Sequence, residues 1–142
     1  MRLYQLALSA EAAATSLACS SILLGQTNES DDFGDVAVWL GEGDFRHSNA
    51  PNILQKLSLD SGLQINQIRT VPLSFRGTLP STLSSGTSSP QLDSLVDQLM
   101  ILTDKYSFRI PLATDPSRVV VFLLGKFGNE WGGLVGLGNW FD

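Results

Sequence analysis

Six acidic residues crowd one short stretch of this chain: Glu29, Asp31, Asp32, Asp35, Glu42 and Asp44. Clustered carboxylates fit three readings: a divalent-cation site, a face for a basic partner, or a solvated surface. Hard cations need several oxygens at defined spacing, and the D-x-[DN]-x-[DN]-G loop pattern is absent. No metal and no cofactor is therefore expected. His47 is the only histidine and Cys19 the only cysteine. A hydrolase would have to use His47 as its base, yet no G-x-S-x-G elbow accompanies it. His47 reads as a loop residue, Cys19 as a small core residue, and no enzymatic activity is expected.

The run Gly132-Gly-Leu-Val-Gly-Leu-Gly138 resembles a phosphate-cradling loop only on the surface. A dinucleotide site needs its glycines after a strand and at the opening of a helix, whereas these follow a turn at Lys126-Phe-Gly-Asn129 and precede the final Trp140-Phe141-Asp142. They read as a return strand with close backbone packing. Trp131, Trp140 and Phe141 fit either a core or an interface anchor. A chain closing on a core hairpin would hold its aromatic, acidic terminus at a defined place, which suits docking into a partner.

The charge is uneven. The 142 residues carry a net charge of −5. Residues 1–44 hold seven acids and one base, Arg2, while the rest hold seven acids and eight bases. Such acidity argues against direct nucleic-acid binding, which needs basic surface to neutralise phosphates, and favours steering of a basic protein partner. A single cysteine excludes an internal disulfide and fits a reducing, cytoplasmic setting. The apolar run after Arg2 is interrupted by Glu11, and Ser16-Leu17-Ala18-Cys19 only loosely resembles a lipoprotein cleavage box. No membrane span is expected.

These residues must be positioned by one domain, since 142 residues form a sizeable core but not two. Leu3, Leu6, Ala7, Ala10, Ala13, Ala14 and Leu17 recur at helical spacing, predicting a helix over 2–19. Asp35–Leu40 reads as a strand. Asn49 and Pro51 start a short helix carrying Ile53, Leu54 and Leu57, with Gly62 beyond its end. Ile65, Ile68, Val71 and Leu73 predict a strand within 63–75, with Pro72 marking an edge or exit. Residues 77–90, rich in Ser, Thr, Gly and Pro, are expected to be a mobile loop. Ser89 and Pro90 then open a helix with Leu92, Leu95, Val96, Leu99 and Met100 on one face. Tyr106–Leu112 is a third strand. Val119–Leu124, apolar on both faces, predicts a central strand covered on each side. The order of elements predicts a single-domain α/β fold, an α/β/α sandwich with a mixed sheet ending in a C-terminal β-hairpin.

Several segments together resemble the nuclease A inhibitor-like family. Asp35-Val-Ala-Val-Trp-Leu-Gly-Glu-Gly43 is similar to its aromatic-containing strand ending in a Glu-Gly turn. Ile68 to Pro80 resembles its segment leading into a Phe-containing, Thr/Pro-rich loop. Tyr106-Ser-Phe-Arg-Ile-Pro111 and Val119 to Leu137 resemble its closing strands. The resemblance spans most of the chain at low identity. It implies an α/β/α sandwich and inhibition of a sugar-nonspecific, metal-dependent nuclease, whose active site is plugged by C-terminal residues and a glutamate of an acidic loop. By position the glutamate falls on Glu29 and the terminal role on Asp142. The tail Gly138-Asn-Trp-Phe-Asp142 is shorter and more aromatic than the family's Val-Val-Glu-Thr-like ending. The expected partner-binding residues are thus Glu29, Asp31, Asp32, Trp140, Phe141 and Asp142. The alternative is a structural or assembly adaptor on the same fold, its aromatic C-terminus docked in a larger complex.

Overall fold

The computed structural model describes residues 3–16, 21–24, 29–30, 35–45, 50–57, 62–73, 78–80 and 89–139. Helix α1 spans Leu3–Ser16. Leu6, Ala10, Ala13 and Ala14 form its buried stripe, and the small alanines let it lie close against its neighbours. Helix α3 (Pro90–Leu99) begins where the sequence signals it: Ser89 Oγ accepts a hydrogen bond from the Leu92 N–H at 3.0 Å, with proline at the first turn. The two helices pack together and are tied by Gln98 Nε2 donating to Ser9 Oγ at 2.5 Å. Between them in sequence lies the short helix α2 (Ala50–Lys56).

The strands are β1 (Glu29–Ser30), β2 (Val36–Glu42), β3 (Arg69–Val71), β4 (Thr103–Pro111), β5 (Arg118–Phe127) and β6 (Glu130–Asn139). Their order is β6, β5, β4, β3 from one side to the other, with β1 and β2 sharing the outer edge of β6. All pairs are antiparallel. The expected mixed sheet is therefore corrected. Strands β4, β5 and β6 are consecutive, joined by a six-residue connection and a two-residue turn, and connections this short are too short for the crossover that a parallel pair needs. In the β5–β6 turn only Gly128 has a positive φ, of 63°, as a type II′ hairpin requires of its first central residue.

The expected α/β/α sandwich is corrected too. Among the described residues 42% are in strands and 30% in helices, a mostly-sheet fold. Both longer helices lie on one face, where Leu6, Ala10, Leu92, Leu95 and Leu99 meet Val119, Val121, Leu123 and Leu134. The opposite face is covered by the seven-residue α2 and by loops, and its core is aromatic: Phe108, Phe122, Trp131 and Phe45 with Ile53 and Leu54. Phe108 and Phe122 stack at 4.7 Å between centroids, and Tyr106 meets Trp131 edge-on at 6.2 Å. Large rings fill on this side the volume that a second helical layer would otherwise occupy.

Strand β5 is central, and its residues 119–124 are buried on both faces as their lack of alternation predicts. Of the strand expected within 63–75 only Arg69–Val71 forms. Leu63 makes an isolated bridge to Leu112, a 3₁₀ turn occupies Ile65–Gln67, and Pro72 ends the edge strand by removing a donor. Within the stretch 77–90, Thr78, Leu79 and Pro80 are buried, Leu79 in the core between the helices and the sheet, and Ser89 and Pro90 begin α3. One leucine is enough to tether part of that polar stretch. Its other residues, 77 and 81–88, lie outside the described ones.

Candidate functional site

Strands β1 and β2, from the acidic stretch, lie along one edge of the sheet. Strand β1 pairs Glu29 with Asn139 and Ser30 with Gly138. Strand β2 then runs along the other end of β6, from Val36 opposite Val135 to Glu42 opposite Glu130. The backbone of Glu29 thus sits beside the residue that precedes Trp140. Of the two segments expected to bind a partner, the described parts that meet at this edge are Glu29–Ser30 and the end of β6. Asp31, Asp32, Trp140, Phe141 and Asp142 themselves lie outside the described residues, as do Cys19 and His47.

Asp35 turns inward. It is buried at the entrance to β2, where its carboxylate accepts from Ser21 Oγ at 2.5 Å and from the Ile22 N–H at 2.6 Å. Ser21 Oγ in turn accepts from the Leu24 N–H at 3.3 Å. The carboxylate therefore holds the 21–24 turn against the sheet. The fit needs Gly136 beneath it: a Cβ there would stand 2.7 Å from Asp35 Oδ1 and 2.8 Å from Ser21 Oγ. Burial pushes the Asp35 carboxyl up to about 6, against the opposing pull of those hydrogen bonds. The sequence groups Asp35 with the other acids, but its role is structural. Nothing in the local sequence separates it from its neighbours, because its partners come from residues far behind it and ahead of it in the chain.

Within β2, Leu40 is buried in the aromatic core, whereas Val36, Trp39 and Glu42 are exposed. Trp39 is 37% exposed and lies over Gly132, where a Cβ would come within 2.8 Å of its ring. Register fixes the face. Trp39 opposes Gly132, which opposes Gly125, and Phe127 lies two residues further along β5 on the same side. Glu42 and Glu130 oppose each other on this side as well. Phe127, Met100 and Ile101 are exposed, and Thr103 Oγ1 donating to the Lys126 carbonyl at 3.2 Å ties the segment after α3 to this end of β5. The result is an acidic corner studded with apolar side chains.

The diagonal corner of the same face is basic. Arg69 on β3 stands directly opposite Arg109 on β4, which is opposite Val121. Helices α1 and α3 lie over the core between the two corners. On the other face Tyr106 donates its hydroxyl to the Phe45 carbonyl, and burial raises its phenol above the ordinary range. That bond fixes the loop after β2.

Among the described residues no three His, Cys, Asp or Glu side chains come together to hold a metal ion, and no helix is long and apolar enough to cross a membrane. No protein-family model and no curated protein matches this sequence.

Proposed function

We propose that this chain is a small acidic protein-binding domain whose sheet edge, β1 and β2 on β6, docks a basic protein partner. The observation that carries this reading is the pairing of Glu29 with Asn139, which draws the acidic segment and the approach to Trp140 to one place. A basic active site fits such an edge. Carboxylates on an acidic edge stand in for phosphate, and the local negative charge raises the encounter rate. Following the family resemblance, the partner is a sugar-nonspecific, metal-dependent nuclease and the outcome is inhibition. The direct test is residual nuclease activity with the full chain added in stoichiometric amount. Activity unchanged at large excess removes the inhibitor reading.

A second reading, an assembly adaptor, draws on the exposed Trp39, Phe127, Met100 and Ile101. Apolar side chains gathered at one corner suit a stable subunit contact better than transient steering. It requires a defined large assembly whose integrity is lost when Trp39 and Phe127 are replaced by alanine.

A further inference from the structure

We infer that the cleft at the basic corner binds a phosphate-type oxyanion held between Arg69 and Arg109. The cleft has a volume of about 170 Å³ and is lined by both arginines together with Gln67, Pro111, Pro116 and Val119. Among the described lining residues none is acidic. Antiparallel register sets Arg69 directly opposite Arg109, so their Cβ atoms are about 5 Å apart and the two guanidinium groups share one space. This chain has 14 acids for 9 bases, yet here two bases are placed face to face.

The chemistry of the lining selects the ligand. Each guanidinium carries several N–H donors in a planar fork that matches phosphate oxygens. Contacts that Arg109 makes within the protein therefore still leave donors for a ligand. Two guanidinium forks suit the several oxygens of a phosphate better than the two of a carboxylate. The walls made by Pro111, Pro116 and Val119 are apolar, and the prolines are stiff and lack an N–H, so the binding donors are the arginines and the Gln67 amide. Ser117 also borders the cleft, but its hydroxyl and its N–H both donate to Asp115 Oδ1, at 2.7 and 3.1 Å. Those bonds and Arg118 hold the Asp115 carboxyl below its ordinary range, and they keep that carboxylate engaged in the turn. A space of this size takes inorganic phosphate or the phosphate of a small monoester. A nucleic-acid strand would need a longer basic track.

The test titrates inorganic phosphate into the full chain at constant ionic strength and alkaline pH, followed by amide chemical shifts. The expected result is saturable binding with shifts centred on β3 and the Arg109 region of β4. Arg69→Gln should weaken it at least about tenfold, as expected for one lost charge-assisted contact. Arg109→Lys keeps the charge and loses the fork, and should also weaken it. A parallel titration with glycerol phosphate identifies the source: binding of both points to a phosphorylated small molecule, and binding of inorganic phosphate alone to the free ion. The monoester should bind more weakly below its second pKa of about 6, where the dianion is lost. Absence of saturable binding, or equal affinity in wild type and Arg69→Gln, overturns the inference.

Discussion

The two charged corners of the helix-bearing face are built alike and surrounded differently. Each sets two residues of the same sign directly across a strand pair, Glu42 against Glu130 and Arg69 against Arg109. Like charges in that position disfavour the pairing, by a fraction of the ~0.2–1 kcal/mol that opposite charges would contribute. Around the acidic pair stand exposed Trp39 and Phe127. Around the basic pair stand prolines and a small cleft. The difference teaches that, on the two readings proposed above, the same electrostatic arrangement would serve two kinds of recognition. Aromatic surroundings suit a broad protein contact, and a narrow, stiff-walled cleft suits a small anion. Both corners depend on the β5–β6 hairpin and its neighbours keeping register, since a slip of one residue would turn these side chains to the other face.

The largest effect should come from breaking that shared frame. At Gly133 a Cβ would stand 1.9 Å from the Leu123 carbonyl oxygen and 3.1 Å from Leu124 Cα. Backbone must move, so Gly133→Ala should cost about 3 kcal/mol or more in urea unfolding. Gly128→Ala meets open space and only a positive φ, and should cost about 1 kcal/mol. Equal losses in the two variants would show that the hairpin is looser at Gly133 than its packing implies.

The next effect tests the structural acid of the edge. The Asp35 carboxyl is raised from 3.8 to about 6 on folding, so the folded state holds the proton more tightly. Its contribution to stability is fully present below pH ~3.8 and is lost as pH rises through ~6. The stability difference between wild type and Asp35→Asn should therefore move against wild type by about 2 kcal/mol from pH 4 to pH 7. A difference between wild type and Asp35→Asn that stays flat across this window would mean that Asp35 is not the buried, proton-holding group.

A smaller effect concerns binding alone. Trp39→Ala and Phe127→Ala should each weaken the partner complex by about 2 kcal/mol, in the range of an aromatic anchor, with dissociation faster and far-ultraviolet circular dichroism unchanged. Surface plasmon resonance measures the rates. Unchanged affinity in both variants would move the contact away from this corner and towards the segment beyond Asn139.

Much of the fold is legible in the sequence. Helical spacing marks α1, the Ser89–Pro90 start marks α3, and the unalternating run 119–124 marks the central strand. The layering is not, because the seven residues of α2 give no sign that rings from Phe108, Phe122 and Trp131 fill the rest of that face. Strand direction is legible only through turn length, and the short connections between β4, β5 and β6 outweigh the helix–strand alternation that suggests a mixed sheet. The acidic stretch is visible as composition, but its division is not: Asp35 goes in and Glu42 goes out, according to partners 13 and 14 residues away for the former and to an edge position for the latter. The basic corner has no sequence signature at all, because Arg69 and Arg109 become neighbours only through strand register.

The smallest effect tests the comparison itself. Glu42→Lys replaces the acidic pair with an opposite-charge pair against Glu130, and Arg69→Glu does the same against Arg109. Each should stabilise the fold by about 0.2–1 kcal/mol in phosphate-free buffer of low ionic strength. The gain should shrink in salt, because charges at an exposed corner are screened once the Debye length falls below about 10 Å. The two corners part company when phosphate is added at constant ionic strength. A dianion bound between the arginines offsets their repulsion in the wild type, so phosphate should raise the melting temperature of wild type and of Glu42→Lys alike, and should leave Arg69→Glu unmoved. Association with a basic partner should respond the other way, slowing for Glu42→Lys and staying unchanged for Arg69→Glu. If the two variants respond alike to phosphate and to the partner, the charges act only through the net charge of the chain, and the two corners are one surface.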